Sequence, residues 1–142
     1  MNEFEAEGNK SKRPSTGLIV GIVVGLLVTC CVVTVVCALG IVGTVFGAMR
    51  QSEPYQVGLE RAVNDTAVVE ALGEPIEPAF LFSGSIEQDL SSGVANFQIP
   101  LEGSRGSGTL FVDAVQRNGT WEYLVLELVV DGSGESIDLL SP

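Results

Sequence analysis

The stretch Gly103–Gly108, GSRGSG, comes nearest to a chemical motif, because three glycines, two serines and Arg105 lie within six residues. Glycine-rich loops with a cation bind phosphate when they follow a strand and open a helix, so that backbone N–H groups converge on the anion. Here both flanks, GVANFQIPLE and GTLFVDAVQR, alternate apolar and polar residues and predict strands. We therefore expect a hairpin turn whose glycines supply positive φ, with Arg105 solvated or paired with a neighbouring acid.

Groups suited to catalysis or metal binding are few. The chain has no histidine, which removes the usual general base near neutral pH and the commonest metal ligand. The serines have no visible base, and no EF-hand spacing occurs. The carboxylates are scattered over turns and polar strand faces, at Glu87, Asp89, Glu102, Asp113, Glu122 and Glu127. We expect no catalytic residue, no metal site, no cofactor and no enzymatic activity.

The three cysteines, Cys30, Cys31 and Cys37, all lie inside one apolar run. Cys30 and Cys37 are one heptad apart and share a helix face, but a metal site would need further ligands, and none is near in the sequence. We expect these thiols to act as small packing residues.

The charge is strongly acidic and unevenly placed. Seven basic residues oppose 18 acidic ones, for a net charge of −11. Three of the bases but 15 of the acids follow Arg50, the bases being Arg61, Arg105 and Arg117. Nucleic-acid binding needs clustered basic residues, so we expect no nucleic-acid partner. This charge would also repel a phosphate from Arg105.

The element that must position everything else is the apolar run Gly17–Met49, which contains no charge in 33 residues. A helix needs only about 20 apolar residues to cross the bilayer core. We therefore predict a transmembrane anchor over 17–49, preceded by a disordered charged tail over 1–16 and followed by a small soluble domain over 51–142.

Basic residues suggest an orientation for the anchor. Lys10, Lys12 and Arg13 precede the run, whereas Arg50 and Arg61 follow it. The positive-inside rule then favours a cytoplasmic N-terminus and a C-terminal domain on the outer face of the inner (plasma) membrane. The run is too long for a cleaved signal sequence, so an uncleaved signal-anchor is favoured. A lipoprotein-type cleavage at Cys30, after LVT, remains the alternative.

After the anchor, the sequence predicts two short helices. Ser52 is a plausible N-cap with Pro54 in the first turn, followed by apolar residues at helical spacing. Asp65 or Thr66 can cap the second helix, which Gly73 closes.

From Ala79 the apolar period changes to two. AFLFSGSIEQ, GVANFQIPLE, GTLFVDAVQR and TWEYLVLELVVD predict strands joined by short connectors, with Asn118-Gly119 as the strongest hairpin signal. A last strand is expected around Ile137–Leu139. Four residues of the fourth strand should share one face, namely Leu124, Leu126, Leu128 and Val130. The predicted fold class is α+β, with two short helices packed on a four- or five-stranded antiparallel meander sheet.

Two sets of residues are candidates for binding a partner. One is the pair of small-xxx-small patterns in the apolar run, formed by Gly17, Gly21, Gly25, Gly43 and Gly47, which would permit close helix–helix contact in lipid. The alternative is that glycine is common in membrane helices anyway. The other set is aromatic, Phe111, Trp121 and Tyr123, because such residues often dominate interfaces; for these, ordinary core packing is the alternative.

Several motifs, in their order and spacing, resemble one known family. They are Gly73-x-Pro75-Ile76 after a short helix, Phe82–Ile86 (FSGSI), Gly93-Val94-Ala95, the G-x-x-G-x-G of Gly103–Gly108, and Trp121 beginning an apolar strand. Together with the apolar run before Ser52, they resemble the cytochrome oxidase complex assembly protein 1 family over nearly all of residues 18–140. The acidic N-terminus is similar to that of a bacterial-type member.

The resemblance implies a single-pass inner-membrane protein whose soluble domain helps oxidase assembly by binding, with no catalytic residues to carry over. We therefore predict a membrane-anchored, non-enzymatic protein–protein interaction module, with the membrane and other membrane proteins, such as respiratory oxidase subunits, as partners. The alternative is an extracytoplasmic domain that binds a small ligand or acts as a sensor.

Overall fold

The computed structural model describes residues 15–141. Apart from its last two residues, the predicted tail over 1–16 lies outside the described residues. The chain divides into two units, with the boundary between Gly43 and Thr44. The first unit belongs to one long helix, and we call the second unit, which begins at Thr44, the head.

Helix α1, Thr16–Arg50, is a continuous 35-residue helix. It has a mean hydropathy of 2.9 in its most apolar window, and none of that window is buried inside the protein. It is long and apolar enough to cross a membrane, a criterion that a signal sequence near an N-terminus also meets. Its large apolar side chains, from Leu18 to Val45, remain about half exposed or more, at 46% to 68%.

Two short helices follow, α2 over Glu53–Asn64 and α3 over Thr66–Leu72. Of the two predicted candidates, Asp65 rather than Thr66 caps α3, since its Oδ1 accepts from the N–H groups of Ala67 (2.9 Å) and Val68 (3.1 Å). Ser52 occupies the N-cap position of α2 but makes no capping hydrogen bond with its side chain. Its hydroxyl instead donates to the Met49 carbonyl at 2.6 Å, which ties the start of α2 to the end of α1.

The strands form one antiparallel sheet of six strands. They are β1 (Glu77–Pro78), β2 (Ser83–Gln88), β3 (Ser92–Glu102), β4 (Ser107–Arg117), β5 (Thr120–Val130) and β6 (Ser136–Asp138). The order is β3-β4-β5-β6, with β1 and β2 both paired to the free edge of β3. The predicted α+β meander is confirmed. The strand number exceeds the four or five predicted, because the short strand β1 adds a separate pairing at the end of β3.

The predicted first strand, from Ala79, begins later than expected. Pro78 pairs with Leu101 and Ser83 with Gln98, so four residues of this chain face only two of β3. We call these four, Ala79–Phe82, the edge segment. It bulges away from the sheet after the Ala79 N–H donates to the Pro100 carbonyl at 2.8 Å. Because a residue's N–H and C=O point to the same side of an antiparallel strand, Pro100 has no donor to offer a paired strand here.

One face of the sheet packs against α2 and α3, and the core lies between them. Four aromatic rings form its end nearest to α1, with centroids 5.1 to 6.1 Å apart: Phe46, Tyr55, Phe82 and Phe97. Phe46 belongs to the last turns of α1, so these turns contribute to the core of the head. Such aromatic pairs contribute about 0.5–1.5 kcal/mol each beyond their buried area.

The face assigned to β5 is only partly correct. The register between β4 and β5 shifts at Asp113/Ala114, because Asp113 pairs with Val125 but Ala114 pairs with Tyr123. Leu124 is the extra residue of this irregularity and is 55% exposed. A bulge of this kind reverses which side chains face inward, so Tyr123 rather than Leu124 lies on the same face as Leu126.

The glycine-rich loop between β3 and β4 does not depend on positive φ. Among the described glycines, positive φ occurs at Gly73, Gly84, Gly119, Gly132 and Gly134, not in Gly103–Gly108. The loop instead packs on the C-terminus of α3. The N–H groups of Ser104, Arg105 and Gly106 donate to the carbonyls of Gly73 and Leu72 at 2.8 to 3.1 Å.

The Arg105 side chain completes this cap. Its Nη2 donates to the Val69 carbonyl at 3.1 Å, and a cation at a helix C-terminus is favourable for the helix dipole. Arg105 is exposed to solvent, as expected, and its hydrogen-bond partner is a helix end rather than a neighbouring acid. The N–H groups that a phosphate would need are already bound to α3, so the loop is structural.

The predicted hairpin at Asn118-Gly119 is confirmed. Asn118 has φ 52° and Gly119 has φ 80°, and they join Arg117 of β4 to Thr120 of β5, which pair directly. Positive φ at both central residues is the geometry of a type I′ turn, which matches the twist of the strands.

We predict that Gly103→Ala destabilises the head by about 2–3 kcal/mol, because overpacking at a fixed backbone costs this much. A Cβ at Gly103 would lie 2.2 Å from the Leu72 carbonyl oxygen and 2.4 Å from that of Gly73, both backbone atoms. Gly106→Ala is the matched control, since its Cβ would meet only the Ala71 carbonyl oxygen at 3.5 Å. Urea unfolding of the full chain in detergent, followed by circular dichroism, measures both. Equal stability of the two variants would contradict the packing argument.

Candidate functional site

The described residues include few side chains that are placed for catalysis or metal binding. Residues 15–141 contain no group of three or more His, Cys, Asp or Glu side chains placed to hold a metal ion. The thiols of Cys30, Cys31 and Cys37 are free and exposed on α1. Three surfaces are candidates for binding, and they lie at the end of α1, on the open face of the sheet and along α1.

At the end of α1, Arg50 holds the edge segment. Its Nη2 donates to the Phe80 carbonyl at 2.6 Å and more weakly to the Ala79 carbonyl at 3.4 Å. The guanidinium carbon also lies 5.4 Å from the centre of the Phe80 ring and 5.8 Å from that of Phe82, within cation–π range. From the sequence, Arg50 counted only as one of the charges that indicate the orientation of the anchor. Its role in the head depends on a contact across about 30 residues, which no local pattern signals.

The edge segment turns its apolar side chains in different directions. Phe82 is buried in the aromatic cluster at 7% exposure, whereas Phe80 is 80% exposed and Leu81 is 68% exposed. The backbone bulge accounts for this split, because residues that leave the sheet edge no longer follow its alternation. Two large apolar side chains are thus presented beside the last turn of α1.

Two polar atoms are buried without a partner near the same place. Neither the Tyr55 hydroxyl nor the Arg50 Nε has a hydrogen-bond partner among the described residues. Burial raises the pKa of the Tyr55 phenol above its ordinary value of 10.0, and the positive charge of Arg50 opposes part of that rise. Burial also raises the pKa of Tyr123, where the charge of Glu53 adds to the rise and that of Arg61 opposes it.

The structure separates the three aromatic residues proposed as partner contacts. Trp121 is 8% exposed and belongs to the core. Tyr123 is half-buried on the same side of the sheet, with the Arg61 guanidinium 5.4 Å from its ring centre. Phe111 lies on the opposite face of the sheet, paired with Gln98 on one side and Glu127 on the other. The three residues do not form one patch.

The face that carries Phe111 is the open face of the sheet. Its residues on the three long strands are all exposed or half-exposed. They include Asn96 and Gln98 of β3, Phe111, Asp113 and Val115 of β4, and Val125, Glu127 and Val129 of β5. Polar pairs cross it, because Asn96 donates to Asp113 and Ser136 donates to Glu127. The face is amphipathic and can accept a protein partner of mixed polarity.

The glycine stripe on α1 has room for a neighbour. A Cβ built at Gly17, Gly21, Gly25, Gly43 or Gly47 would meet no atom of the described chain within 4 Å. The chain itself therefore leaves this stripe uncovered. Whether another helix packs there remains a prediction.

The comparison with known families decides the identity. The chain matches the family described as cytochrome oxidase complex assembly protein 1 over residues 24–141. It belongs to that family. The match runs from within α1 through all six strands, so membership in the cytochrome oxidase complex assembly protein 1 family includes the apolar helix as well as the head. No curated protein and no solved structure matches the chain.

The family membership confirms the resemblance seen in the motifs of the sequence. It also gives structural meaning to several of those motifs. Gly73 and Gly103 are the residues at which α3 and the β3–β4 loop meet, and Phe82 enters the aromatic cluster. The family described by this name suggests a cytochrome oxidase assembly factor.

We predict that Tyr55→Phe stabilises the protein by about 1 kcal/mol, because a buried hydroxyl without a partner costs about 1–3 kcal/mol. The substitution keeps the ring contacts with Phe82 and Phe97. The same variant should also lose less stability than the wild type when the pH is raised above about 10. The unfolded phenol ionises near pH 10, whereas the folded one stays neutral to higher pH, so wild-type stability falls as pH rises above about 10.

Thermal unfolding of the full chain in detergent at pH 8 and pH 11 measures both effects. Tyr123→Phe should show the same two effects, because the Tyr123 hydroxyl is also buried without a partner among the described residues and its pKa is also raised. A loss of stability in Tyr55→Phe at pH 8 would show that the hydroxyl has a stabilising partner.

Proposed function

We propose that the chain is a membrane-anchored assembly factor for cytochrome oxidase that acts by binding and catalyses no reaction. The observation that carries the proposal is the family match over residues 24–141, which includes both α1 and the head. The lack of histidine supports the non-enzymatic part, since the side chain best suited to proton transfer near pH 7 is missing.

Anchoring by α1 is part of the proposal. Residues 17–49 would form a single-pass, uncleaved anchor, and residues 51–142 the soluble domain. The count of basic residues, three before the run and two after it, favours a cytoplasmic N-terminus with the head on the outer face of the inner membrane. Confinement to the membrane raises the effective concentration of the head for a partner in the same membrane.

The open face of the sheet is the proposed contact for an oxidase component outside the bilayer. Phe111 is its largest apolar side chain and lies near the middle of β4. The space between the helices and the sheet is filled by side chains that are 0% to 8% exposed. This packing favours binding at a surface over the alternative, a small ligand held between the helices and the sheet. Inside the bilayer, the proposed contact is the glycine stripe of α1.

The test of the proposal is loss of function. Deletion of the gene should lower the level of assembled cytochrome oxidase, measured from the haem absorption of isolated membranes. Purification of the tagged full chain in mild detergent should bring down oxidase components. Normal oxidase in the deletion strain, together with a solitary protein in the purification, would overturn the proposal.

We predict that Phe111→Glu reduces the recovery of oxidase components several-fold, because a charge replaces the largest apolar contact at the centre of an interface. Since Phe111 is only half-buried, the fold should persist, which circular dichroism checks. Ser133→Glu adds the same charge in the exposed turn between β5 and β6 and should leave recovery unchanged. Equal recovery with both variants would remove the open face as the contact.

We predict that Gly21→Leu weakens association of α1 with a helix in the membrane, because the larger side chain prevents close backbone approach. Crosslinking or co-purification from membranes measures the association. Val23→Leu adds bulk on the opposite side of the same helix and is the matched control. If both variants associate as well as the wild type, the glycines serve no interface.

A further inference from the structure

The edge segment joins two observations that the proposed function does not use. Phe80 and Leu81 are the large apolar side chains that the head leaves most exposed beside α1, at 80% and 68%. Their backbone is held by Arg50, whose Nη2 lies 2.6 Å from the Phe80 carbonyl. Arg50 is also the first charged residue after the uncharged run. The exposed apolar pair is therefore fixed to the residue that ends the apolar part of α1.

If α1 spans a membrane and lipid covers its exposed apolar side chains as far as Val45, Arg50 lies close to the boundary of the lipid. Val45 lies five residues before Arg50 and is still 46% exposed. Its apolar side chain would therefore contact water unless lipid covers it. At a rise of about 1.5 Å per residue, Val45 and Arg50 are separated by about 8 Å along the helix axis. The polar headgroup region is about 5–8 Å thick on each side of the hydrocarbon core. Arg50, and the edge segment bound to it, then fall within the headgroup region.

We propose that Phe80 and Leu81 insert into the headgroup–acyl boundary of the bilayer and form a second membrane contact of the head. In segments that lie at a membrane surface, Phe and Leu side chains are typically buried about 5–10 Å into the boundary between headgroups and acyl chains. An apolar pair left in water would instead form an uncovered patch on the head. This inference rests on the proposed anchoring by α1 and goes beyond the proposed assembly function.

Charge favours a lipid surface over other occupants of this site. The head carries 15 acidic side chains against three basic ones after Arg50, so most of its surface is repelled by anionic lipid. The stretch from Ala79 to Ile86 contains no charged residue. The part of the head closest to Arg50 is thus one that can approach a bilayer without an electrostatic cost.

The test uses the full chain reconstituted into phosphatidylcholine vesicles with brominated acyl chains, against the same vesicles without bromine. Leu81→Trp places a fluorophore in the edge segment, and bromine quenches tryptophan only on close contact. The emission of the native Trp121, which is buried in the core, is measured in the wild-type chain and subtracted. We expect the tryptophan at position 81 to lose most of its emission in brominated vesicles, with a blue-shifted maximum.

Two further variants make each result decisive. Val42→Trp reports whether α1 is in the bilayer, and Leu124→Trp is a control at a comparably exposed leucine, 55% against 68%. Leu124 lies on β5, three strands from β2 in the sheet, or about 14 Å at the usual strand spacing. Quenching at 42 and 81 but not at 124 supports the proposal.

The remaining outcomes overturn it in distinguishable ways. Quenching at 42 without quenching at 81 leaves the anchor intact and shows that the edge segment faces water or a protein partner. Equal quenching at 81 and 124 shows that the contact is not specific to the edge segment. An absence of quenching at 42 refutes anchoring, and with it both this inference and the membrane part of the proposed function.

Discussion

The Phe46 ring lies 5.2 Å from that of Phe82, and on this contact the arrangement of the head depends. Phe46 comes from the last turns of α1, and Phe82 from the edge segment between β1 and β2. Arg50, one turn after Phe46, hydrogen-bonds the carbonyl of Phe80 in the same segment. The last turns of α1, Thr44–Arg50, are therefore held in the head by packing, hydrogen bonding and cation–π contacts together. A single solvent-exposed ion pair would stabilise this region much less than these contacts do together.

The second constraint is the use of backbone polar groups. The N–H groups of the glycine-rich loop donate to the carbonyls at the C-terminus of α3, and Arg105 adds a charged donor at the same helix end. Helix ends leave such carbonyls without partners unless another element supplies donors. This capping links a hairpin of the sheet to the helical layer, which is why a sequence that resembles a phosphate loop has a purely structural role.

Electrostatics and apolar exposure divide the head between two kinds of contact. The acidic surface disfavours nucleic acid and anionic lipid, whereas the uncharged stretch from Ala79 to Ile86 lies next to the end of α1. The open face of the sheet mixes Phe111 and valines with Asp113 and Glu127, a composition suited to a protein partner. This division is consistent with the proposed binding role in cytochrome oxidase assembly.

Local pattern alone determined much of this protein. The charge-free run predicts α1, Asp65 predicts the cap of α3, Asn118-Gly119 predicts the β4–β5 hairpin, and the alternation of apolar residues predicts the α+β meander, because each depends on residues close together in the chain. Only the tertiary structure decided which side of the sheet Leu124 and Tyr123 occupy, since one extra residue in β5 reverses the alternation. It also decided that Arg50 binds the edge segment and that Gly103 lies against α3. These contacts join residues about 30 apart in the chain, and their partners are set by packing rather than by neighbours in sequence.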